Sequence, residues 1–411
     1  MNRRWIILSL VFLGMVISYV DRGNLSIAAP SIMRDFRIEP AAMGVLLSAF
    51  FWTYGAFQIP AGAIVDRFGV RSTYAVGFLV WSIASASIAL SRGTGQIIGM
   101  RMALGLAESI GPLASISFIR NNFAGKDRGL PTSIYIAGQN LGPALGTLVG
   151  SILLDRWGWR MMFAITGLGG LIWLPFWLFA TPREETVIQA EKEAEVSAEP
   201  RRWTWRMVLS NPVFWAMSLA ILLSSYYWYF VLTWVPSYMT LARGFSTLEM
   251  GRAVSTALFA MALVNVLAGL AVDKLAARIG VLRARLGFAV AGYAGTMAIL
   301  FLLVVPNRAW ALPILTLAMC ATGIGNSNFW TISQHVPPKN LVGRTIGYLN
   351  TVSVGAGAAA PLITGWILGP QKHFGPAILV AGLCPGLAAV CLLLAGSTGL
   401  ERMKGLLAGE L

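Results

Sequence analysis

Charged residues are scarce in this sequence. Asp, Glu, Lys and Arg together make up 12% of its 411 residues, whereas a soluble globular domain carries about a quarter. Hydrophobic residues account for 56%, and they occur in runs of roughly 20 residues, the length that an α-helix needs to cross a bilayer. The scarcity of charge therefore excludes an ordinary soluble domain and indicates a chain embedded in lipid.

Histidine and cysteine are also scarce. His335 and His373 lie far apart, and Cys320, Cys384 and Cys391 occur in apolar stretches without Cys-x-x-Cys spacing. These residues predict neither a metal site nor a disulfide framework. No glycine-rich loop ending in Gly-Lys-Ser or Gly-Lys-Thr occurs, so ATP binding is not indicated. We expect no cofactor and no metal, and the lack of a nucleophile with a base or metal cluster argues against an enzyme.

Acidic residues are outnumbered by basic ones, and the net charge is +14. A nucleic-acid-binding surface would cluster Lys and Arg on one face, but here they punctuate the apolar runs. We therefore expect no nucleic-acid partner, and we interpret the basic residues as signals of membrane topology. Most of them fall in loops that are cytoplasmic if the N-terminus lies inside, so both termini are predicted to be cytoplasmic.

Apolar runs separated by charged or Pro/Gly breaks predict an all-α polytopic membrane protein. Twelve transmembrane helices are expected, each long enough to span the hydrocarbon core. Their predicted positions are near 6–32, 40–63, 72–91, 95–119, 129–152, 160–181, 212–240, 248–272, 285–305, 310–333, 343–368 and 375–396.

One long polar stretch, from Thr181 to Arg206, separates the sixth and seventh spans. Its many Glu residues favour a solvated surface helix that serves as a linker, with a regulatory role as the alternative. We therefore divide the chain into an N-terminal six-helix half (1–181), a cytoplasmic linker (182–211) and a C-terminal six-helix half (212–411).

The two halves also echo each other in sequence. Gly62-Ala-Ile-Val-Asp66-Arg67 closes the second span, and Gly269-Leu-Ala-Val-Asp273-Lys274 closes the eighth. Two parallel six-helix repeats with a binding site at the midplane form a known transporter architecture.

Four ionisable residues fall well inside predicted spans: Asp21, Arg22, Arg101 and Glu108. Each costs roughly 2.5–3.5 kcal/mol at a helix centre, so they must pair or face water. A rise of about 1.5 Å per residue puts Asp21 about 26 Å and Arg101 about 28 Å from the inner interface. We therefore expect Asp21 to face Arg101, with Glu108 seven residues further along the same face.

Arg22 points about 100° away from Asp21 on the same helix, so the expected pairing leaves it without a partner. A guanidinium fork suits an anionic carboxylate substrate. Desolvation raises the pKa of a carboxyl group and a nearby guanidinium lowers it, so buried carboxylates next to arginines suit proton carriers. The hypothesis is that Asp21 and Glu108 carry protons while Arg22 binds the anion; the alternative is a purely structural ion-pair network.

The chain resembles a known family at this point. Gly62-x-x-x-Asp66-Arg67-x-Gly69-x-Arg71 resembles the loop signature of the major facilitator superfamily, between its second and third helices. Three further patterns resemble the anion:cation symporters of that superfamily, and among them the bacterial proton-coupled sugar-acid carriers of the galactonate type: Tyr19-Val-Asp21-Arg22-x-Asn24-Leu-Ser-x-Ala-x-Pro30, Arg101-x-x-Leu104-Gly105-x-x-Glu108, and Tyr226-Tyr227-Trp228-Tyr229 before Thr233-Trp234-Val-Pro236.

This resemblance implies the major facilitator fold and import of a small organic anion by proton symport with alternating access. The anion would be a sugar acid of the hexonate or hexuronate type. Asp21 and Glu108 would be the protonatable pair, Arg101 the partner of Asp21, and Arg22 the ligand of the substrate carboxylate. Loop residues Gly62, Asp66, Arg67, Gly69 and Arg71 would serve the conformational change, and the sugar-acid contacts would be Tyr19, Tyr54, Gln139, Ser327, Trp330 and Asn350.

The resemblance also implies a bacterial inner-membrane protein that is powered by the proton gradient. We expect a monomer, although the sequence leaves the oligomeric state open. Two other functions stay open: a proton-driven exporter of drugs or metabolites, which would need a larger apolar cavity and no Arg22, and an anion facilitator or exchanger. The second loop signature is degraded after Asp273-Lys274. Gly138-x-x-x-Gly142-Pro143-x-x-Gly146 is similar to an antiporter motif, but small residues at this spacing favour close helix packing.

Overall fold

A computed structural model of the chain describes residues 3–124, 127–182, 210–337 and 342–408. Within these ranges the chain is almost entirely helical and contains no strand. The predicted linker, 182–211, lies outside the described residues except for 182, 210 and 211. The all-α prediction is confirmed.

The described helices are long and mostly apolar. Several contain a proline, and a bilayer-spanning helix tolerates such residues because neighbouring groups satisfy the freed backbone. Their bounds are α1 Arg3–Asp35, α2 Pro40–Phe68, α3 Val70–Ser87, α4 Thr94–Glu108, α5 Ile110–Asn122, α6 Gly129–Gly170, α7 Trp173–Ala180, α8 Pro212–Ser237, α9 Thr247–Ile279, α10 Val281–Thr296, α11 Ala311–His335, α12 Val342–Leu368 and α13 Phe374–Ala408.

Eleven helical segments among the described residues are long and apolar enough to cross a membrane. One of them, Gly129–Ala180, has 52 residues, or about 78 Å of helix against a hydrocarbon core of about 30 Å. Inside it Gly158 adopts a left-handed backbone with φ 74°, next to the exposed Asp155 and Arg156. This segment therefore supplies two spans, which gives the twelve that the sequence predicts.

The chain forms two compact units. Unit 1 comprises Met1–Ser197 and Leu232–Ser255, and unit 2 comprises Ala198–Val231 and Thr256–Leu411. The chain thus passes between units three times: within the predicted linker, inside α8 and inside α9. The start of α9 belongs to unit 1 because it packs against α6: the Ser255 hydroxyl donates to the Ala144 carbonyl at 2.8 Å, and a Cβ on Gly251 would collide with Ser151.

Glycines on α6 allow α1 to approach it closely inside unit 1. A Cβ added to Gly142 would lie 2.6 Å from the Tyr19 Cβ, and one added to Gly146 would lie 2.9 Å from the Val20 Cα. Both distances are far below van der Waals contact. The glycine stripe therefore serves helix packing, as the four-residue spacing predicted.

The internal repeat extends to backbone conformation. Gly69 ends α2 with φ 77°, and Gly280 ends α9 with φ 91°, a region that glycine adopts without a steric cost. In each case the glycine N–H bonds the carbonyl four residues earlier, at 2.9 and 3.0 Å. Two further turns repeat with positive φ at matching places in the halves, namely Arg37 with Gly244, and Gly158 with Gly369.

Several arginines gather at one end of unit 1, which we call the arginine-rich end. Arg71 donates to the Leu178 carbonyl at 3.0 Å, and Arg3 donates to the Ala180 carbonyl at 2.8 Å. These bonds join the starts of α1 and α3 to the end of α7. The members of this group are Arg3, Arg67, Arg71, Arg120 and Arg128.

An aromatic stack lies above the arginine-rich end. Phe78 stacks on Trp173 with ring centroids 4.2 Å apart, and Trp173 stacks on Trp177 at 5.0 Å. Tyr74 packs against both tryptophans, at 5.1 and 4.9 Å. Because aromatic pairs add stability beyond their buried area, this stack fixes α3 against α7.

Candidate functional site

The four intramembrane charges come together inside unit 1. Asp21 and Arg22 lie on α1, and Arg101 and Glu108 lie on α4. Asp21, Arg101 and Glu108 are no more than 2% exposed, and the Arg22 side chain is 16% exposed. Because an isolated charge is costly in an apolar interior, this cluster of two acidic and two basic side chains indicates a functional site.

Glu108 is bound by two donors from α1. The Arg22 Nε lies 2.5 Å from Glu108 Oε2, and the Ser18 Oγ donates to the same oxygen at 2.7 Å. Ser18 and Arg22 are four residues apart and therefore lie on one face of α1. The other carboxylate oxygen, Oε1, is buried without a hydrogen-bond partner among the residues that the structure describes.

The expected ion pair between Asp21 and Arg101 is not formed among the described residues. Asp21 Oδ1 instead accepts a hydrogen bond from the Ser85 hydroxyl of α3 at 2.8 Å. Arg101 lies over the Phe50 ring, with its guanidinium carbon 5.2 Å from the ring centroid. Its Nε and Nη1 have no hydrogen-bond partner in the described part of the chain. Arg101 still acts on Asp21 and on Glu108 through longer-range electrostatics.

This arrangement also corrects the expectation that Arg22 has no partner inside the protein. Depth along a helix predicts which residues lie level, but it does not predict the rotamer that each long side chain adopts. Ser85 and Phe50, which orient Asp21 and Arg101, lie on helices α3 and α2, and their positions follow only from helix packing.

Three aromatic rings surround the Arg22 guanidinium. Its central carbon lies 5.0 Å from the Tyr19 ring centroid, 4.9 Å from that of Phe50 and 4.6 Å from that of Tyr54. Rings at this distance stabilise a cation through their negative faces. Arg22 Nη2 is buried and has no hydrogen-bond partner within the described ranges, so the guanidinium retains a donor beyond its contact with Glu108.

The remaining predicted contacts of unit 1 lie on α2 and α6. Tyr54 stacks on Phe50 at 5.1 Å, and the Gln139 amide donates to the Tyr135 hydroxyl at 3.0 Å. Tyr135 itself lies within electrostatic range of Tyr19, Tyr54 and Arg22. The structure thus brings Tyr19, Tyr54 and Gln139 into the neighbourhood of Arg22.

Four further residues of the site were not identified from the sequence. Ser18 and Ser85 carried a weak signal, because hydroxyls inside spans often serve interhelical hydrogen bonds. Phe50 and Tyr135 carried none, since an aromatic residue in a span is usually a packing residue.

Unit 2 holds the other three predicted contacts. Ser327 and Trp330 are three residues apart on α11 and share a face, and Asn350 lies half-buried on α12. The Ser327 hydroxyl donates to its own helix at Ile324, and Trp330 packs against the unit 2 core. The role of these three residues in substrate binding stays a prediction.

The residues beside Ser327 make hydrogen bonds within unit 2. Asn326 accepts from the Tyr293 hydroxyl at 3.0 Å, and Asn328 accepts from Arg285 at 3.3 Å. Arg285 also forms an ion pair with Asp273. Both asparagine carbonyl groups are thus occupied by protein donors.

The loop motif between α2 and α3 makes both side-chain and backbone contacts. Asp66, which is exposed, lies 3.9 Å from Arg120, and Arg67 lies over the Phe68 ring at 5.3 Å. The Arg71 carbonyl accepts from the Trp177 indole at 3.0 Å. Gly62 is half-buried, and a Cβ there would meet Leu113 at 4.0 Å. The motif thus connects residues of the arginine-rich end.

Among the described residues, no group of three His, Cys, Asp or Glu side chains is placed to hold a metal ion.

Comparison with known proteins identifies relatives along nearly the whole chain. The family described as Major Facilitator Superfamily matches residues 11–361. The D-galactonate transporter of Escherichia coli O6:H1 (strain CFT073) is 29% identical over 402 residues, covering 92% of each chain. The hexuronate transporter of Bacillus subtilis (strain 168) is 30% identical over 382 residues, covering 90% of each chain.

Solved structures share the fold at low sequence identity. A bacterial homolog of the human lysosomal transporter Spinster, inward-facing and unoccupied, has a TM-score of 0.76 at 19% identity and covers 98% of both chains. A D-xylose–proton symporter has a TM-score of 0.74 at 19% identity, covering 94% of this chain and 97% of the other. This protein is therefore a multi-pass membrane transporter and not an enzyme, and the chain belongs to the major facilitator superfamily.

Proposed function

We propose that this protein is a bacterial inner-membrane symporter that imports a sugar acid of the hexonate or hexuronate type together with protons. The observation that carries the proposal is the buried Arg22–Glu108 ion pair inside a ring of three aromatic side chains. The relatives named for D-galactonate and hexuronate support the substrate class.

Arg22 is suited to bind the substrate carboxylate. Its planar guanidinium can hold a carboxylate through two parallel hydrogen bonds, and its Nη2 has no hydrogen-bond partner among the described residues. Tyr19 and Tyr54 offer apolar ring faces that end in hydroxyl groups, and Gln139 offers an amide. Such a combination suits a small hydroxylated ligand.

Charge balance around Arg22 links the anion to a proton. With both acids ionised, Asp21, Glu108, Arg22 and Arg101 sum to zero. A bound anion alone would leave one excess negative charge in a buried site, whereas an anion with one proton restores neutrality. Protonation of Glu108 also releases the Arg22 Nε for the substrate, so each ligand favours binding of the other.

Asp21 provides a second carboxyl group for the same task. Ser85 holds one of its oxygens, and Arg101 stabilises its charge from a distance. Arg101 is thus a positioning cation for both acids. Ser327, Trp330 and Asn350 are the residues through which unit 2 would contact the sugar hydroxyls, and the loop Gly62, Asp66, Arg67, Gly69 and Arg71 would serve alternating access. The proposal places both termini in the cytoplasm and takes the monomer as the working unit.

The test is uptake into proteoliposomes with an imposed inward proton gradient. Radiolabelled D-galactonate, D-glucuronate, D-glucarate and acetate form the panel. We expect accumulation of at least one sugar acid that an uncoupler abolishes, and we expect Arg22→Ala to reduce it about 100-fold, because truncating one partner strands a buried charge. Arg34→Ala, at an arginine of the same helix with a 79% exposed side chain, is the matched control.

Three results would contradict the proposal. Uptake that is insensitive to the gradient would indicate a facilitator or exchanger. Proton-driven extrusion would indicate an exporter. Normal sugar-acid uptake by Arg22→Ala would make the ion pair structural.

A further inference from the structure

The hydroxyl of Tyr74 is a buried polar group that the proposed mechanism does not use. Tyr74 lies on α3 and is 0% exposed. Its hydroxyl has no hydrogen-bond partner among the described residues. Nearly all buried hydroxyl groups in folded proteins have a hydrogen-bond partner, so a buried hydroxyl without one needs a structural or functional reason.

Two glycines place this hydroxyl next to the Glu108 site. A Cβ on Gly14 of α1 would lie 2.7 Å from the Tyr74 oxygen. Gly14 is four residues before Ser18, so the Tyr74 hydroxyl lies about 6 Å along α1 from the serine that bonds Glu108. On α5, a Cβ on Gly111 would lie 3.7 Å from the Tyr74 ring, and Gly111 follows Glu108 by three residues.

The Tyr74 ring is held in place by the aromatic stack. Trp173 and Trp177 pack against it at 5.1 and 4.9 Å, and Trp81 lies at 6.1 Å. The hydroxyl therefore cannot turn toward bulk water without breaking this packing. Glu108 lies within electrostatic range of the Tyr74 hydroxyl. The Glu108 Oε1 is likewise buried without a hydrogen-bond partner in the part of the chain that the structure describes.

Tyr74 also lies on the way from Glu108 to the arginine-rich end. It occupies the second turn of α3, close to the Gly69 turn and to Arg71. Ser115, one helical turn beyond Gly111 on α5, approaches the Tyr74 hydroxyl and donates to the Gly111 carbonyl at 2.7 Å. Hydroxyls thus continue from Glu108 toward that end in the order Ser18, Tyr74, Ser115.

We propose that Ser18, Tyr74 and Ser115, bridged by water, form the path by which the proton leaves Glu108 toward the arginine-rich end. This inference rests on the proposed proton symport. Each hydroxyl accepts one proton and passes on another, so one proton moves along the path and every hydroxyl is restored. Glu108 ends as a carboxylate, which re-forms its ion pair with Arg22. Gly14 and Gly111 lack a Cβ, which lets the Tyr74 hydroxyl pack directly against α1 and the Tyr74 ring against α5.

The test compares Tyr74→Phe with wild type in two assays in proteoliposomes, using whichever of D-galactonate and D-glucuronate the wild type accumulates. Phenylalanine keeps the ring packing and removes only the hydroxyl. Proton-driven uptake requires the proton to leave, so we expect its initial rate to fall about 10-fold or more. Exchange of labelled for unlabelled substrate at equal pH requires no net proton release, so we expect its rate to stay within about twofold of wild type.

Tyr227→Phe is the matched control, because Tyr227 in unit 2 is also 0% exposed with a hydroxyl that has no hydrogen-bond partner among the described residues. It should leave both assays unchanged. Wild-type uptake by Tyr74→Phe, or an equal loss of uptake and exchange, would overturn the path and make Tyr74 a packing residue. If wild type itself shows no proton-driven uptake, the proposed function fails first and the path falls with it.

Discussion

The interiors of the two units differ in the kind of polar group that they bury. Of the described chain, the charged residues that are almost fully buried, Asp21, Arg101 and Glu108, all lie in unit 1. The polar residues that are fully buried in the described part of unit 2 are neutral, with hydrogen bonds such as Tyr226 to Thr364 at 3.1 Å and Ser225 to Ser353 at 2.8 Å. Its partly buried Arg285, with a 16% exposed side chain, pairs with Asp273, whose side chain is 65% exposed.

This difference leads us to expect different functions for the two units, although both have the same repeated architecture. Neutral side chains such as those of Ser, Thr and Tyr stay uncharged across the physiological pH range. They can therefore bind hydroxyl groups of a substrate without responding to the proton concentration. Buried carboxylates change charge on protonation, and this change alters every electrostatic interaction nearby. Proton coupling is therefore expected in unit 1, while unit 2 is expected to contribute neutral contacts.

The largest expected effect comes from removing a carboxylate of unit 1. Glu108→Gln should lower proton-driven accumulation of sugar acid about 100-fold, because the variant lacks the proposed proton carrier. Binding of D-galactonate or D-glucuronate should persist, since Arg22 no longer has a competing anion, and its affinity should become less dependent on pH. Isothermal titration calorimetry at acidic and alkaline pH measures the binding.

The matched control for that prediction is Glu401→Gln, which removes an exposed carboxylate of unit 2. It should leave accumulation and binding unchanged. If both variants lost accumulation equally, the contrast between the units would be lost. If Glu108→Gln still accumulated substrate, Glu108 would not be the proton carrier.

A smaller effect is expected from the glycine contact between α6 and α1. Gly142→Ala puts a Cβ 2.6 Å from the Tyr19 Cβ and should reduce stability by about 1–3 kcal/mol through overpacking. It should also weaken substrate binding, because Tyr19 lies beside Arg22. Thermal unfolding of the purified protein measures the first effect.

Gly287→Ala is the control for Gly142→Ala, because Gly287 lies inside α10 and a Cβ there would meet nothing within 4 Å. Alanine favours a helix over glycine, so this variant should be neutral or slightly stabilising. Equal destabilisation by both variants would contradict the packing role of Gly142.

The smallest effect is expected from a neutral hydrogen bond of unit 2. Tyr226→Phe removes the hydroxyl that bonds Thr364 and should cost about 0.6 kcal/mol, a typical value for such bonds inside a membrane. The dependence of uptake on the proton gradient should not change. A shift in that dependence, measured as uptake against external pH, would show that unit 2 also senses protons.

Much of the fold could be predicted from the sequence, because the apolar runs are long and the bilayer admits few structures. Twelve spans were predicted. The described residues form eleven long apolar segments, and the break at Gly158 divides the 52-residue segment into two spans. The recurrence of positive φ at Gly69 and Gly280 was not predicted, since the second loop signature is degraded. A glycine ends both helices even where the charged residues around it differ.

Less of the site could be predicted. Intramembrane charge is so costly that Asp21, Arg22, Arg101 and Glu108 were identified as a group from composition alone. Their pairing was predicted differently from what is observed, since Arg22 bonds Glu108 and Asp21 bonds Ser85. Helical depth constrains the height of a Cα, but a long side chain extends several ångströms and takes the partner that packing offers.

The sequence by itself determined that this chain crosses a membrane, that it consists of two related halves, and which charges lie within its spans. These properties depend on hydrophobicity and spacing along one helix, which neighbouring helices do not alter. Only the tertiary structure decided which acid meets which base, that three rings surround Arg22, and that the Tyr74 hydroxyl lies one turn from Ser18. Apart from Tyr19, which lies one helical turn before Arg22, these contacts join residues that are distant in sequence, and they depend on how closely glycine-lined helices approach one another.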